Sequence, residues 1–221
     1  KMDRPEWIAV HPKTGEVYVT LTNNSKRGTS EVPGLNAANP RAENVFGHIV
    51  RWRESNHDAA STAFEWDVFA LAGDPQHPDE HKRGNIKGNA YGNPDGPWFD
   101  NNGHLWIQTD VSTNVLNKGD YARLGNNQML VADPQSGITR RFLTGPSGCE
   151  ITGITTTPDG RSLFVNIQHP GETASERSDP ANPTAISAWP ANQFPEAVGG
   201  RPRSGTLVIT RQDGKEITSS K

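Results

Sequence analysis

Asp95-Gly96-Pro97-Trp98-Phe99, then Asp100-Asn101-Asn102-Gly103, then Leu105-Trp106-Ile107 is the stretch that decides the fold. Two short runs rich in aromatic and branched residues flank a cluster of Asp and Asn that ends in Gly. Asp and Asn side chains stabilise a tight turn by bonding nearby backbone, and Gly tolerates the positive φ near its end. The stretch therefore reads as a β-hairpin. Upstream, the same punctuation joins Glu6-Trp7-Ile8-Ala9-Val10 to Val17-Tyr18-Val19 through His11-Pro12-Lys13-Thr14-Gly15. Downstream, it joins Thr152-Gly153-Ile154-Thr155-Thr156 to Leu163-Phe164-Val165 through Thr157-Pro158-Asp159-Gly160.

Behind each hairpin, after a long insertion, lies a second strand pair. These are Gly47–Trp52 with Phe64–Phe69, Gln128–Val131 with Ile138–Leu143, and Thr206–Thr210 with Lys215-Glu216-Ile217. The repeat predicts an all-β chain of three four-stranded antiparallel units. We read these as β-propeller blades over approximately 4–69, 93–144 and 150–217. An ordinary β-sandwich is the competing arrangement, but it does not predict the repeated hairpin. Propeller rings usually hold about 4–8 blades, so three need company. Lys1-Met2-Asp3 runs straight into a strand pattern with no secretion signal. The expectation is a fragment whose upstream half is missing, with N-terminal blades or another copy needed to close the ring.

Composition agrees and excludes several classes. Hydrophobic residues are only 32%, against 22 Gly and 17 Pro, a balance suited to short strands and long loops. The chain has 22 basic and 25 acidic residues, a net charge of −3, and no basic run to attract nucleic acid. No apolar stretch approaches the roughly 20 residues of a transmembrane helix. Cys149 is the single cysteine, which rules out an internal disulfide and reads as a small buried residue. No G-x-S-x-G elbow, H-E-x-x-H or phosphate-binding P-loop is present. His77 and His81, flanked by Pro75 and Pro78, are expected to be solvated.

Blade geometry places chemistry at one mouth, where the first strand of each blade starts and the second ends. The connections of about 21–46, 111–126 and 168–203 emerge there, and loops of that length usually carry function. Alignment of the hairpins puts Glu6, Asp95 and Thr152 at one position, with Glu150 just before Thr152. Thr22, Asp110 and Gln168 fall at the other, followed by Asn23, Val111 and His169. Converging carboxylates and amide carbonyls suit a hard cation such as calcium or ferric iron, which also makes a cluster of like charges tolerable. Arg4 beside Glu6 can hold two phosphate oxygens at once. Each residue also has a plain structural reading: Asp95 as a turn aspartate, Glu6 as a partner of Arg4, Asp110 as a loop cap, Glu150 as a satisfied loop carboxylate. An acid at the same register in two units favours the functional one.

Met2-Asp3-Arg4-Pro5-Glu6-Trp7-Ile8-Ala9-Val10-His11-Pro12 and Thr20-Leu21-Thr22-Asn23-Asn24 resemble the PhoX alkaline phosphatase family. So do Gly47–Trp52, Leu71-Ala72-Gly73-Asp74-Pro75, Asn93-Pro94-Asp95-Gly96, Thr152-Gly153-Ile154 and Phe164–Gly171, in order along nearly the whole chain. The resemblance implies a six-bladed propeller with iron (Fe3+) and calcium at its centre, phosphomonoester hydrolysis, and export to the periplasm. It implies a phosphate-facing arginine at Arg4 and a metal-binding glutamate at Glu6. Asp95 is the expected second metal ligand. Mouth position adds Asp110 and Glu150 as metal ligands and Asn23 as a substrate contact. Two other readings stay open. Pro94-Asp95-Gly96 with Asp100–Trp106 is similar to calcium-dependent sugar lactonases, over one hairpin only. A non-enzymatic binding propeller, or an inactive fragment, is the third.

Overall fold

The computed structural model describes residues 1–32, 34–172, 180–194 and 200–219. The three predicted hairpins all form: β1 (Pro5–Val10) with β2 (Val17–Leu21), β6 (Pro94–Phe99) with β7 (Leu105–Thr109), and β10 (Glu150–Thr156) with β11 (Ser162–Gln168). Their turns close alike. Gly15, Gly103 and Gly160 have φ of 72°, 92° and 64°. Their N–H groups donate to the carbonyls of His11, Asp100 and Thr157 respectively. A side chain at these positions would strain the backbone, so the terminal Gly of each turn is a steric requirement.

The remaining strands are β3 (His48–Glu54), β4 (Phe64–Leu71), β5 (Lys87–Gly88), β8 (Gln128–Ala132), β9 (Ile138–Thr144) and β12 (Gly205–Thr210). They complete three open sheets, ordered β1-β2-β3-β4, β5-β9-β8-β7-β6 and β10-β11-β12. The chain is thus all-β, as expected, but the strand counts depart from four per unit. The middle sheet gains β5, which runs parallel to β9 with Lys87 opposite Ile138. The last sheet loses its expected fourth strand. Lys215-Glu216-Ile217 is turn, because its backbone groups are bonded elsewhere: the Ile217 N–H donates to the Gly160 carbonyl, and Arg211 Nη1 donates to the Glu216 carbonyl.

By packing, the chain divides into two compact units, Lys1–Gln108 with Leu130–Arg141, and Thr109–Met129 with Phe142–Lys221. In the first, β2 and the start of β3 are buried, with Tyr18, Leu21 and Ile49 inaccessible. Tyr18 meets Phe69 and Phe99 edge-on at 5.2 and 5.0 Å, a geometry that adds to simple area burial. Sheet edge β1 is exposed along most of its length. In the second unit, β11 alternates: Leu163, Val165 and Ile167 are buried and Asn166 is exposed. Each buried aliphatic side chain there contributes about 1.5–3 kcal/mol. Cys149 is buried, as expected, and burial pushes its thiol up to about 12.

The long connections are 22–47, 110–127 and 169–204. Within the third, which the sequence placed at about 168–203, residues 173–179 and 195–199 lie outside the described ones. His77 is buried, contrary to expectation. Its ring lies edge-on to Phe46 at 5.8 Å and its Nδ1 accepts the Asp79 N–H. Among the described residues no helix is long and apolar enough to cross a membrane.

Candidate active site

In the first unit the chain reaches β1 through Asp3-Arg4-Pro5-Glu6. Arg4 has φ +33°, a conformation unusual for a side-chain-bearing residue, and Asn93 before β6 repeats it at +51°. The β1–β2 register then slips between Pro5 and Ile8, and such a bulge re-aims the side chains within it. Glu6 lies in that bulge. Arg4 Nε and Nη2 both donate to Glu6 Oε1, at 3.1 and 3.0 Å. The pair is well exposed and therefore adds little to stability.

Two buried threonines of β2 and its end tie this segment to β6. The Thr20 hydroxyl accepts the Trp7 N–H at 3.2 Å and lies 2.6 Å from the Asp95 carbonyl, to which it donates. The Thr22 N–H donates to the Arg4 carbonyl, and its hydroxyl donates to the Pro94 carbonyl. Glu6 and Asp95, aligned by sequence, are thereby held at the starts of strands that share these ties. Asn23, half-buried, follows Thr22 directly, and Asp95 itself is buried. Thr22 stands where the hairpin alignment put it, at the end of the second strand; Thr20 was not singled out by sequence reasoning, and its only signal was a hydroxyl two residues before Thr22.

Asp3 was likewise missed. It is inaccessible to solvent and forms a buried ion pair with Arg27, 2.7 Å apart. Its other oxygen accepts from Asn44 Nδ2, and its N–H donates to Asn39 Oδ1. Asn44 Nδ2 also lies 2.9 Å from His48 Nδ1, while His48 Nε2 lies 2.7 Å from the Ala38 carbonyl. An amide donor on Nδ1 requires that nitrogen to be unprotonated, so His48 is neutral with its proton on Nε2. Burial, followed by the Arg41 and Arg27 charges, lowers its pKa against the opposing pull of the Ala38 carbonyl and Asp3.

The second unit brings together the other pair of expected acids. Asp110 follows β7, and Glu150 opens β10 opposite Gln168. Gln168 Nε2 donates to Glu150 Oε2 at 3.0 Å, and His169 Nε2 lies 3.4 Å from the same oxygen. His169 Nδ1 is 3.1 Å from Glu172 Oε2 without forming a hydrogen bond to it. Burial raises the Glu150 pKa, the Asp110 charge raises it further, and His169 and Thr152 offset this in part. A carboxylate whose ionisation is made costlier by a neighbouring carboxylate belongs to a donor set suited to a hard cation.

Asn127 underlies this pair. Its Oδ1 accepts from the Thr109 hydroxyl at 2.9 Å and the Val111 N–H at 2.7 Å. Its Nδ2 donates to the carbonyls of Val111 and Cys149, each at 2.9 Å. One buried amide thus brackets Asp110 on both sides and fixes the residue before Glu150. The four predicted metal ligands therefore fall into two pairs, Glu6 with Asp95 and Asp110 with Glu150, one in each unit. Among the described residues no group of three or more His, Cys, Asp or Glu is gathered to hold a metal ion.

These features define an all-β protein that presents carboxylates where its strands start and end. The alkaline phosphatase PhoX family profile matches residues 1–171. A solved structure of Pseudomonas fluorescens PhoX in complex with vanadate, a transition state analogue, is 48% identical with a TM-score of 0.84. The match covers 98% of this chain and 35% of that one, so this chain spans about a third of its relative's length. No curated protein sequence gives a significant match. The chain belongs to the PhoX alkaline phosphatase family.

Proposed function

We propose that this chain supplies part of the active site of a metal-dependent phosphomonoester hydrolase. The observation that carries the reading is the 48% identity over almost the whole chain to a PhoX structure that holds a transition-state analogue. The Arg4–Glu6 pair is consistent with it: the arginine spends Nε and Nη2 on Glu6, and its remaining donors suit a phosphate oxygen. The lactonase resemblance rests on one hairpin and has no comparable support.

Glu6, Asp95, Asp110 and Glu150 are the residues we assign to cation binding, and Asn23 to substrate contact. The family resemblance favours iron and calcium as the cations. When bound, they would neutralise phosphate charge and favour attack on phosphorus. Arg4 orients the equatorial oxygens and stabilises the charge that builds on them in the transition state. Glu6 holds the guanidinium in place by accepting two of its N–H groups. Arrangement of the sheets as blades of a six-bladed propeller, completed by further blades, and action in the periplasm are further parts of the proposal, and both rest on family membership.

The test uses the full-length protein in which this chain occurs. Elemental analysis and turnover of a chromogenic phosphate ester are measured on wild type and Glu6→Ala. Concerted loss of metal and turnover in the variant is the expected result. Undiminished turnover overturns the assignment, and a wild type that lacks both metal and turnover favours a non-enzymatic binding role.

A further inference from the structure

The residue that positions the Arg4–Glu6 pair lies outside it. Arg4 and Glu6 face solvent, whereas their neighbour Asp3 is sealed from it. Asp3 takes three hydrogen-bonded partners, Arg27, Asn39 and Asn44, and all three belong to the 22–47 connection. Arg27 is equally committed. Besides Nε to Asp3 Oδ1, it donates Nη1 to the Gly34 carbonyl and Nη2 to the Lys1 carbonyl. One guanidinium therefore grips Asp3, the chain just before it at Lys1, and the loop at Gly34.

The same connection begins with Thr22 and Asn23. Its start is pinned to the segment being gripped, because the Thr22 N–H donates to the Arg4 carbonyl. Arg4 sits between these two fixed points, Asp3 before it and the Thr22 bond at its own carbonyl, with φ +33°. A residue in a sparsely populated conformation persists only where its surroundings over-determine it.

We propose that the buried Asp3–Arg27 pair is a positioning device that sets the direction of the Arg4 guanidinium and its separation from Asn23. The inference rests on the phosphate-binding reading of Arg4 given above. Small displacements of an orienting group cost up to about a hundredfold in rate, so the device acts on phosphate recognition without touching phosphate.

The experiment is a double-mutant cycle in the protein bearing this chain, read by inhibition with inorganic phosphate and by KM and kcat for a phosphate ester. Asp3→Asn keeps the shape of the side chain and removes its charge. It is expected to raise the inhibition constant for phosphate about tenfold, with KM moving more than kcat. In an Arg4→Ala background it is expected to change neither further, because the group it directs is gone. A purely structural role predicts losses that multiply in the double variant, and that result overturns the proposal, as does an unchanged inhibition constant in the single variant. If Asp3→Asn does not fold, Asp3→Leu/Arg27→Met removes both charges together and leaves neither ion unpaired; the same cycle then decides. A wild type that neither hydrolyses phosphate esters nor is inhibited by phosphate defeats the function reading itself, a different failure from an active wild type with an indifferent Asp3 variant.

Discussion

The Thr20 hydroxyl lies 2.6 Å from the carbonyl oxygen of Asp95, a residue 75 positions further along the chain. The Thr20 hydroxyl oxygen in turn accepts the N–H of Trp7, the neighbour of Glu6. One buried hydroxyl thus joins the two strand starts at which the aligned acids stand.

Thr20→Val keeps the shape and removes the tie. It takes this hydroxyl from the part-buried Trp7 N–H and from the buried Asp95 carbonyl, and loss of a partner by a buried group costs about 1–3 kcal/mol. Denaturant unfolding is expected to report a loss of roughly 1–3 kcal/mol on that basis. Turnover should fall more than stability explains, since both acids lose their common anchor. A variant as stable as wild type would show that water replaces the hydroxyl.

Asn127→Asp is expected to do comparable damage in the second unit. The substitution is nearly isosteric but turns the Nδ2 donor into an acceptor facing the Val111 and Cys149 carbonyls. Two lost donations and a buried like-dipole contact should cost about 2–5 kcal/mol. Asn127→Ser, shorter but still a donor, should be milder. Thermal unfolding of the two variants checks the order.

Asp110→Asn tests the coupling of the second acid pair. Removal of the Asp110 charge takes away one of the two causes that raise the Glu150 pKa, so Glu150 should titrate closer to the ordinary glutamate value. The sign is definite. An acid raised in the folded state loses its stabilising contribution as pH rises through the folded pKa, and the variant should lose less there than wild type. Carboxyl-resolved NMR titration checks the shift. If the pair binds a cation as proposed, calcium affinity should drop at the same time, because one of the two assigned donors has become neutral.

The neutral His48 predicts sensitivity to acid. Its pKa is lowered in the folded chain, so the unfolded chain takes up the proton first, near the unperturbed value of about 6.5. Stability is therefore full above that value and declines as pH falls below it toward the folded pKa. Melting temperatures between pH 7.5 and 5 should fall in wild type and fall less in His48→Gln. Equal slopes in the two would place the acid sensitivity elsewhere.

The hairpins were legible because their signals are local. The order of strand, Asp or Asn, Gly, strand is a matter of a dozen residues, and Gly15, Gly103 and Gly160 take the predicted backbone sign. The register of Glu6 against Asp95 followed from counting within those hairpins. What escaped was set by contacts between distant residues. Strand β5 exists because Lys87 and Gly88 meet Ile138 and Thr139, and no periodicity in two residues announces that. The absent fourth strand at 215–217 has turn chemistry indistinguishable from that of a real hairpin; its competitor is an Arg211 side chain that bonds the Glu216 carbonyl. Asp3 went unremarked, because its partner Arg27 is 24 residues away, beyond the β1–β2 hairpin. Buried polar ties of this kind carry no pattern in a single chain.

The three equivalent turns also separate what each hairpin must keep from what it can change. Backbone sterics fix Gly15, Gly103 and Gly160, whereas at the opposite end of the same strands the aligned residues are Glu6, Asp95 and Thr152. The requirement for folding and the opportunity for chemistry sit some distance apart along one short module. A repeated module of this sort can exchange an acid for a hydroxyl in one copy without disturbing the turn that lets that copy fold, so a single architectural rule can be reused while its copies specialise.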